Sequence, residues 1–305
     1  MSKILITGAS GFVGTYLVES LAKKHTIDAI SRKSYLLGVN KTYTWENFED
    51  HLCDYDVVIH LAGLAHDTNN TTQREVYYAV NHQLTGDLVN WINQANRSVK
   101  LIYMSSIKVY ENTPFLREDS PKKPSTIYGQ SKLAAEQEIL NHLSDLHYHY
   151  ILEPTMIHGD GNKGNLPRLY KVLLGGTPFI FGNWKNKRSI LYIENLIFII
   201  SALMDKSIAS GCYLVSDDDS ISTIDMIEVL FKQNQQSFIR WNLPNFMVPI
   251  LIKLSTLVGI QTLNKLLGNL EVSNHKIKDA LGIDTLPISS HEGLKRSAIY
   301  LKNRV

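Results

Sequence analysis

Short apolar runs alternate along the first half of the chain with segments in which apolar residues recur every third or fourth position. Lys3-Ile4-Leu5-Ile6-Thr7 reads as a buried strand, and Phe12 to Lys23 has helical spacing through Val13, Leu17, Val18 and Leu21. Further strands are expected at Thr26 to Ser31, Asp56 to Ala62, Lys100 to Ser105 and Tyr148 to Glu153. Helices are expected between them, at Glu75 to Asn93 and Ser131 to Leu143. Strands separated by helices require crossover connections, which predicts an α/β fold with a parallel sheet and helices on both faces.

The first strand runs into Gly8-Ala9-Ser10-Gly11-Phe12-Val13-Gly14 before the first helix begins. Gly8 suits a tight turn, Gly11 a close backbone approach to a pyrophosphate, and Gly14 a helix packed tightly on a sheet. This points to a Rossmann-type doubly wound sheet that binds a dinucleotide at the carboxyl ends of its strands. The second strand ends at Ser31-Arg32-Lys33-Ser34, where an acid would bind a ribose and a base a 2′-phosphate. Asp28 lies too early in that strand to reach the ribose. Arg32 therefore favours NADP (NADPH) over NAD; the other reading makes Arg32 and Lys33 solvated loop charges.

Composition removes several alternatives. The chain has 305 residues, long enough for about two domains at roughly 150 residues each or for one large α/β unit. With 44% hydrophobic and 20% charged residues, extended disorder is excluded. A net charge of +2 argues against a nucleic-acid partner. Two distant cysteines, Cys53 and Cys212, suit neither a disulfide framework nor a cysteine zinc site, and no metal is expected. The first residues hold no signal-peptide core, so the cytoplasm is the expected location. Phe246 to Leu267 is apolar but interrupted by Pro249, Lys253 and Ser255, short of the ~20 residues needed to span a bilayer. Its polar face is not lysine-rich, which favours a buried or capping helix over one lying on a membrane.

Candidate chemistry lies at Tyr128-Gly129-Gln130-Ser131-Lys132, where tyrosine and lysine share one helix face, with Pro124 marking the helix entry. Upstream, Ser105-Ser106 follow the fourth strand. With the glycine turn, these residues resemble an extended short-chain dehydrogenase/reductase of the NAD-dependent epimerase/dehydratase family, which acts on nucleotide sugars. His60-Leu61-Ala62-Gly63, Asn81 in Ala79-Val80-Asn81, Pro154 and His158-Gly159 extend the resemblance over essentially the whole chain. Two positions depart from it: Glu153 stands in place of an arginine and His158 in place of a tyrosine. Ser105-Ser106-Ile107-Lys108-Val109, Lys163-Gly164-Asn165, Lys187-Arg188-Ser189-Ile190, Leu214-Val215-Ser216-Asp217 and Leu267-Gly268-Asn269-Leu270-Glu271-Val272 resemble the UDP-4-keto-6-deoxy-N-acetylglucosamine reductase branch, which makes UDP-N-acetylquinovosamine for surface polysaccharide (O-antigen).

The resemblance implies Ser106, Tyr128 and Lys132 as the catalytic set. It implies Gly8, Gly11, Phe12, Val13, Gly14, Arg32, Leu61, Ala62, Gly63, Asn81, Tyr128 and Lys132 around the cofactor. Ser106, Asn165 and Arg188 would bind a UDP-sugar, the expected partner; a homodimer is an open alternative. A tyrosine titrates near ~10 in isolation, and Lys132 is expected to favour its phenolate. Tyr128 then acts as general acid in reduction. His60 is expected in the cofactor pocket and not as a base. Asp217-Asp218-Asp219 is expected to be a solvated loop, because three successive acids do not converge on one ion. The dinucleotide-binding domain is expected over 1–158 with about 190–206, and a smaller α/β nucleotide-sugar domain over 159–189 and 207–305. The alternatives are a UDP-sugar 4-epimerase or another sugar-nucleotide epimerase/dehydratase and, in a different class, a non-catalytic dinucleotide-binding regulator.

Overall fold

The computed structural model describes residues 1–50, 53–64, 72–162, 164–257 and 262–302. Lys163, part of one branch motif, and residues 258–261 of the apolar segment lie outside them. Strand β1 (Lys3–Thr7) leads into α1 (Phe12–Leu21), followed by β2 (Thr26–Ile30), β3 (Lys41–Tyr43) and β4 (Val57–His60). Helix α2 (Arg74–Tyr78), a π-helical turn (Ala79–Gln83) and α3 (Leu84–Ile92) follow one another directly. Then come β5 (Lys100–Met104), a 3-10 turn (Ile107–Val109), β6 (Phe115–Leu116), α4 (Ile127–His142), β7 (Tyr148–Pro154) and β8 (Met156–His158). The remainder comprises α5 (Asn165–Leu174), β9 (Ile190–Tyr192), α6 (Ile193–Asp205), β10 (Gly211–Val215), α7 (Thr223–Gln233) and α8 (Met247–Leu257). It closes with α9 (Thr262–Leu267), β11 (Glu271–Val272), α10 (His275–Leu281) and α11 (Ser290–Lys302).

Among the described residues, seven strands form one parallel sheet in the order β10-β7-β5-β4-β1-β2-β3. Its inner strands β1, β4 and β5 are buried on both faces, as a sheet covered by helices on both sides requires. Ile4, Ile6, Val57, Ile59 and Ile102 enter one core with α1 and α6, through Leu17, Leu21 and Ile200. The alternate residues Leu5, Val58, Leu101 and Tyr103 enter the opposite core with α3 and α4, through Leu88, Ile92 and Ile139. The strand order reverses between β1 and β4, and this crevice is where such sheets bind ligands.

One expectation changes. The helix expected over Glu75 to Asn93 is interrupted by the π turn, which widens one turn around buried Asn81. Gly211–Val215 pairs in parallel with Tyr150–Pro154 as the edge strand of the sheet, and Tyr213 and Val215 join the core of α1 and α6. A separate core gathers α5, α7, α8, α9 and α11 around Tyr170, Phe231 and Leu294. No helix among the described residues is long and apolar enough to cross a membrane.

Candidate active site

The glycine turn is set by the close passage of two strand ends. Gly8 has φ +71, and a Cβ on it would lie 2.8 Å from the Ala62 nitrogen. A Cβ on Gly14 would collide with the Gly8 carbonyl, so α1 can sit on the turn only with glycine there. Gly11 caps α1 without a side-chain hydrogen bond, and the first turn, with Phe12 and Val13, carries no acid. The helix-start amides are thus left for an anion, which fits the pyrophosphate of a dinucleotide. Beneath the turn, Thr7 Oγ1 accepts from the Ala62 N–H at 3.0 Å and lies 2.6 Å from His60 Nδ1. His60 Nε2 lies 3.0 Å from Thr85 Oγ1. Burial first, and Lys132 second, push this imidazole down to about 3, so it stays neutral and ties β1, β4 and α3 together.

Helix α4 brings the expected catalytic side chains to this crevice. Thr126 caps it by accepting from the Gly129 N–H at 3.1 Å. A Cβ on Gly129 would collide with the Lys108 carbonyl, which explains the close approach of the turn after Ser106 to the helix. The Ser106 and Tyr128 hydroxyls share a hydrogen bond. Ser105 instead turns inward and donates to Glu136. Burial outweighs the Ser106 bond and pushes the Tyr128 phenol up to about 12, with Tyr77, its ring 6.3 Å away, adding to the rise. The Lys132 ammonium donates to the Met104 carbonyl at 2.8 Å and lies over the Tyr103 ring. Burial lowers the Lys132 pKa to about 8 against the pull of Glu136. A Cβ on Gly63 would stand 3.0 Å from both Lys132 Nζ and Asn81 Oδ1, so this glycine keeps open a polar recess. Asn81 is fixed there by the Leu64 N–H at 2.7 Å and by donating to Ser131 Oγ at 2.9 Å.

Behind Lys132 lies a buried charge cluster that sequence reading missed. Glu136 continues the series Tyr128, Lys132 along one face of α4. Lys122 Nζ lies 2.6 Å from Glu136 Oε2, 2.5 Å from Glu153 Oε1 and 3.4 Å from Cys212 Sγ. Glu153 also accepts from the Tyr110 hydroxyl at 2.8 Å. Glu136, Glu153 and Cys212 lie close enough together to hold a cation, and the Lys122 ammonium takes that place. Lys122 thereby serves the charge balance that Glu153, standing in place of an arginine, reverses. Burial and Glu153 raise Glu136 to about 7 even beside Lys122. His158, the other departure, is buried against Ser297 Oγ at 3.0 Å.

Arg32 is exposed beyond β2 and makes no hydrogen bond among the described residues, whereas Asp28 is buried by Asn40, the Lys41 N–H and the Tyr55 hydroxyl. Asn165 is exposed at the start of α5. Arg188 Nη1 donates to the Gly268 carbonyl at 3.0 Å. Burial lowers the pKa of Lys108, and Lys265 and Arg188 lower it further, so three cations gather beyond Ser106. Neither Lys108, two residues past Ser106, nor Lys265 was picked out from the sequence. Of the acids at 217–219, Asp218 and Asp219 are exposed in a loop as expected, and only Asp217 departs from that expectation. Asp217 is buried and accepts from the Tyr192 N–H and Asn195, while Asp218 accepts from Asn274, Lys278 and the Leu286 N–H. They anchor α6 and α10 to the end of β10.

Comparison with known proteins agrees with this arrangement. The model of the NAD dependent epimerase/dehydratase family matches residues 4–215. A UDP-glucose 4-epimerase from Vibrio cholerae is 33% identical over 322 residues, covering 97% of this chain and 94% of that protein. A UDP-2-acetamido-2,6-beta-L-arabino-hexul-4-ose reductase from Pseudomonas aeruginosa is 24% identical, covering 75% of this chain and 57% of that protein. Among solved structures, UDP-glucuronic acid 4-epimerase from Bacillus cereus with NAD has a TM-score of 0.76 at 21% identity, covering 99% of this chain and 96% of that one. RMD from Pseudomonas aeruginosa with NADPH has a TM-score of 0.75 at 21% identity, covering 100% of both chains. At that identity the two structures speak for the fold.

Proposed function

Since this chain belongs to the NAD dependent epimerase/dehydratase family and is an NAD(P)-dependent enzyme of nucleotide sugars, we propose that it reduces the C4 ketone of a UDP-4-keto-6-deoxy-N-acetylhexosamine. The observation that carries this reading is the Ser106–Tyr128 pair. A phenol held up to about 12 bears its proton at neutral pH and can donate it to an oxygen gaining negative charge. Ser106 orients that oxygen. When bound, the nicotinamide cofactor supplies the hydride.

Gly8, Gly11, Phe12, Val13 and Gly14 hold the cofactor pyrophosphate in this proposal, and Leu61, Ala62 and Gly63 line its path. Asn81 shapes the recess in which Lys132 meets the nicotinamide ribose beside Tyr128. Arg32, exposed and without a hydrogen-bond partner among the described residues, where a 2′-phosphate would lie, favours NADPH. Asn165 and Arg188, joined by Lys108, hold the UDP diphosphate, for which the arginine fork supplies two donors. Surface-polysaccharide precursor synthesis is the setting these chemistries suit.

Excess UDP-4-keto-6-deoxy-N-acetylglucosamine should consume NADPH in proportion to product. A regulator without catalysis would bind cofactor and consume none. A second reading, a 4-epimerase, is favoured by the Vibrio cholerae relative, which is similar along 97% of this chain. It requires a galacto-configured product from UDP-glucose or UDP-N-acetylglucosamine, without added cofactor, from protein purified with NAD bound. That product would replace the reductase reading.

A further inference from the structure

Helix α8 is apolar on two sides and covered on one. Val248 is fully buried, and Leu251 and Ile252 pack into the core shared with α5, α7 and α11. On the other side, Phe246, Ile250 and Leu254 recur at helical spacing and are 71%, 54% and 53% exposed. The chain leading into the helix adds Ile239 and Trp241, the latter 60% exposed. A helix apolar all round is normally covered, and a contiguous exposed apolar patch marks a contact surface.

The charge pattern says what covers it. No acidic residue occurs between Glu228 and Glu271, while Lys232, Arg240, Lys253 and Lys265 fall within that stretch. Arg240 is paired with Glu228, and Lys265 belongs to the cations near Ser106. Lys253 is exposed on α8 between Ile250 and Leu254. A second copy of the chain docking on this face about a two-fold axis would set the same acid-free surface against itself. An anionic surface would meet both the apolar stripe and the lysine. Exposed tryptophan and phenylalanine beside lysine are the side chains suited to the boundary between lipid headgroups and acyl chains.

We propose that this face docks on an anionic lipid bilayer. Trp241, Phe246, Ile250 and Leu254 enter the headgroup boundary, and Lys253 meets the lipid phosphates. The helix lies on the bilayer and does not cross it; the sequence favours a buried or capping helix, but only its Val248 side is covered. This surface is independent of the catalytic reading, since none of these side chains belongs to the proposed site.

The test uses the full chain and vesicles of phosphatidylcholine alone or mixed with phosphatidylglycerol, sedimented at low and high salt. Binding is expected on the mixed vesicles at low salt, with Trp241 emission shifting to the blue and no such shift in Trp241→Phe. Each basic residue near an anionic surface strengthens binding about fivefold, so Lys253→Glu should weaken it by at least that factor. Ile250→Glu with Leu254→Glu should abolish sedimentation while leaving the thermal midpoint and NADPH titration in place. Should that pair fail to fold, Phe246→Ser, at the exposed entry to the helix, should still weaken binding. Absence of binding to mixed vesicles would overturn the proposal. So would a dimer, seen by light scattering, that the Ile250→Glu and Leu254→Glu pair dissociates in a protein that ignores vesicles.

Discussion

Lys132 Nζ donates to the Met104 carbonyl at 2.8 Å, and that bond joins the helix carrying Tyr128 to the strand end that leads into Ser106. The lysine thus helps fix the spacing of the two hydroxyls, besides the ribose contact proposed for it. Lys132→Met should lower both kcat and cofactor affinity, because it removes a tie and a donor together. Comparing single-turnover rates with cofactor titrations separates the two losses; unchanged values for both would remove Lys132 from the site.

Tyr128→Phe should behave differently. In the proposed reaction the phenol acts on the substrate oxygen while the glycine turn holds the pyrophosphate, so NADPH affinity should stay nearly intact. Turnover should fall by about 10²–10⁴-fold, the span general acid catalysis contributes. A variant with wild-type kcat would show that Tyr128 is not the acid.

The pH profile should report Glu136. Burial holds Lys132 near 8 and Glu136 raises it, so activity that needs the ammonium is present below that pH and fades above it. Glu136→Gln removes the neighbouring charge and should move the alkaline limb of kcat toward neutrality. Rescue of the limb by Glu136→Asp would mark the effect as electrostatic. An unmoved limb would mean that Glu136 only packs.

His60 should make stability depend on pH. Its folded pKa, about 3, lies below the unfolded value near 6.5. The unfolded chain therefore binds the extra proton in that window, and the contribution present above about 6.5 is lost as pH falls toward 3. The slope from one group is at most about 1.4 kcal/mol per pH unit. Urea unfolding at pH 5 and 7 should show it, and His60→Gln should flatten it. An equal slope in that variant would assign the dependence to other groups.

Arg32→Ala should weaken NADPH binding and leave NADH binding comparatively unchanged. The loss should shrink as salt is added, because an exposed charge pair is screened. Equal losses for both cofactors would mean that Arg32 meets the adenine instead of the phosphate.

What could be read from the sequence was local. The path from Lys3 through the glycine turn to Leu21 declares itself because strand, turn and helix are neighbours and each glycine answers a nearby contact. Ser106, Tyr128 and Lys132 could be picked as candidates for the same reason, from a strand end and one helix face, with the family resemblance supplying their roles. Lys122 was not, since Pro121-Lys122-Lys123-Pro124 reads as a solvated loop until folding sets Glu153 opposite it. Nor was Tyr77, brought to Tyr128 by a helix whose π turn changes its phase. Gly211–Val215 escaped because its partner, β7, lies far back in the chain, and pairing over that distance leaves no periodic trace.

That late strand bears on how the chain is made. When a ribosome has delivered only the residues up to Asp205, β7 is already part of the sheet but its outer edge has nothing to bond to. An apolar strand with bare N–H and C=O groups is a template for other chains. Nascent molecules are expected to pass through a sticky interval that ends as Gly211–Val215 emerges and zips along Tyr150–Pro154. Fragments cut ahead of that strand should accumulate as aggregates, however complete their nucleotide crevice.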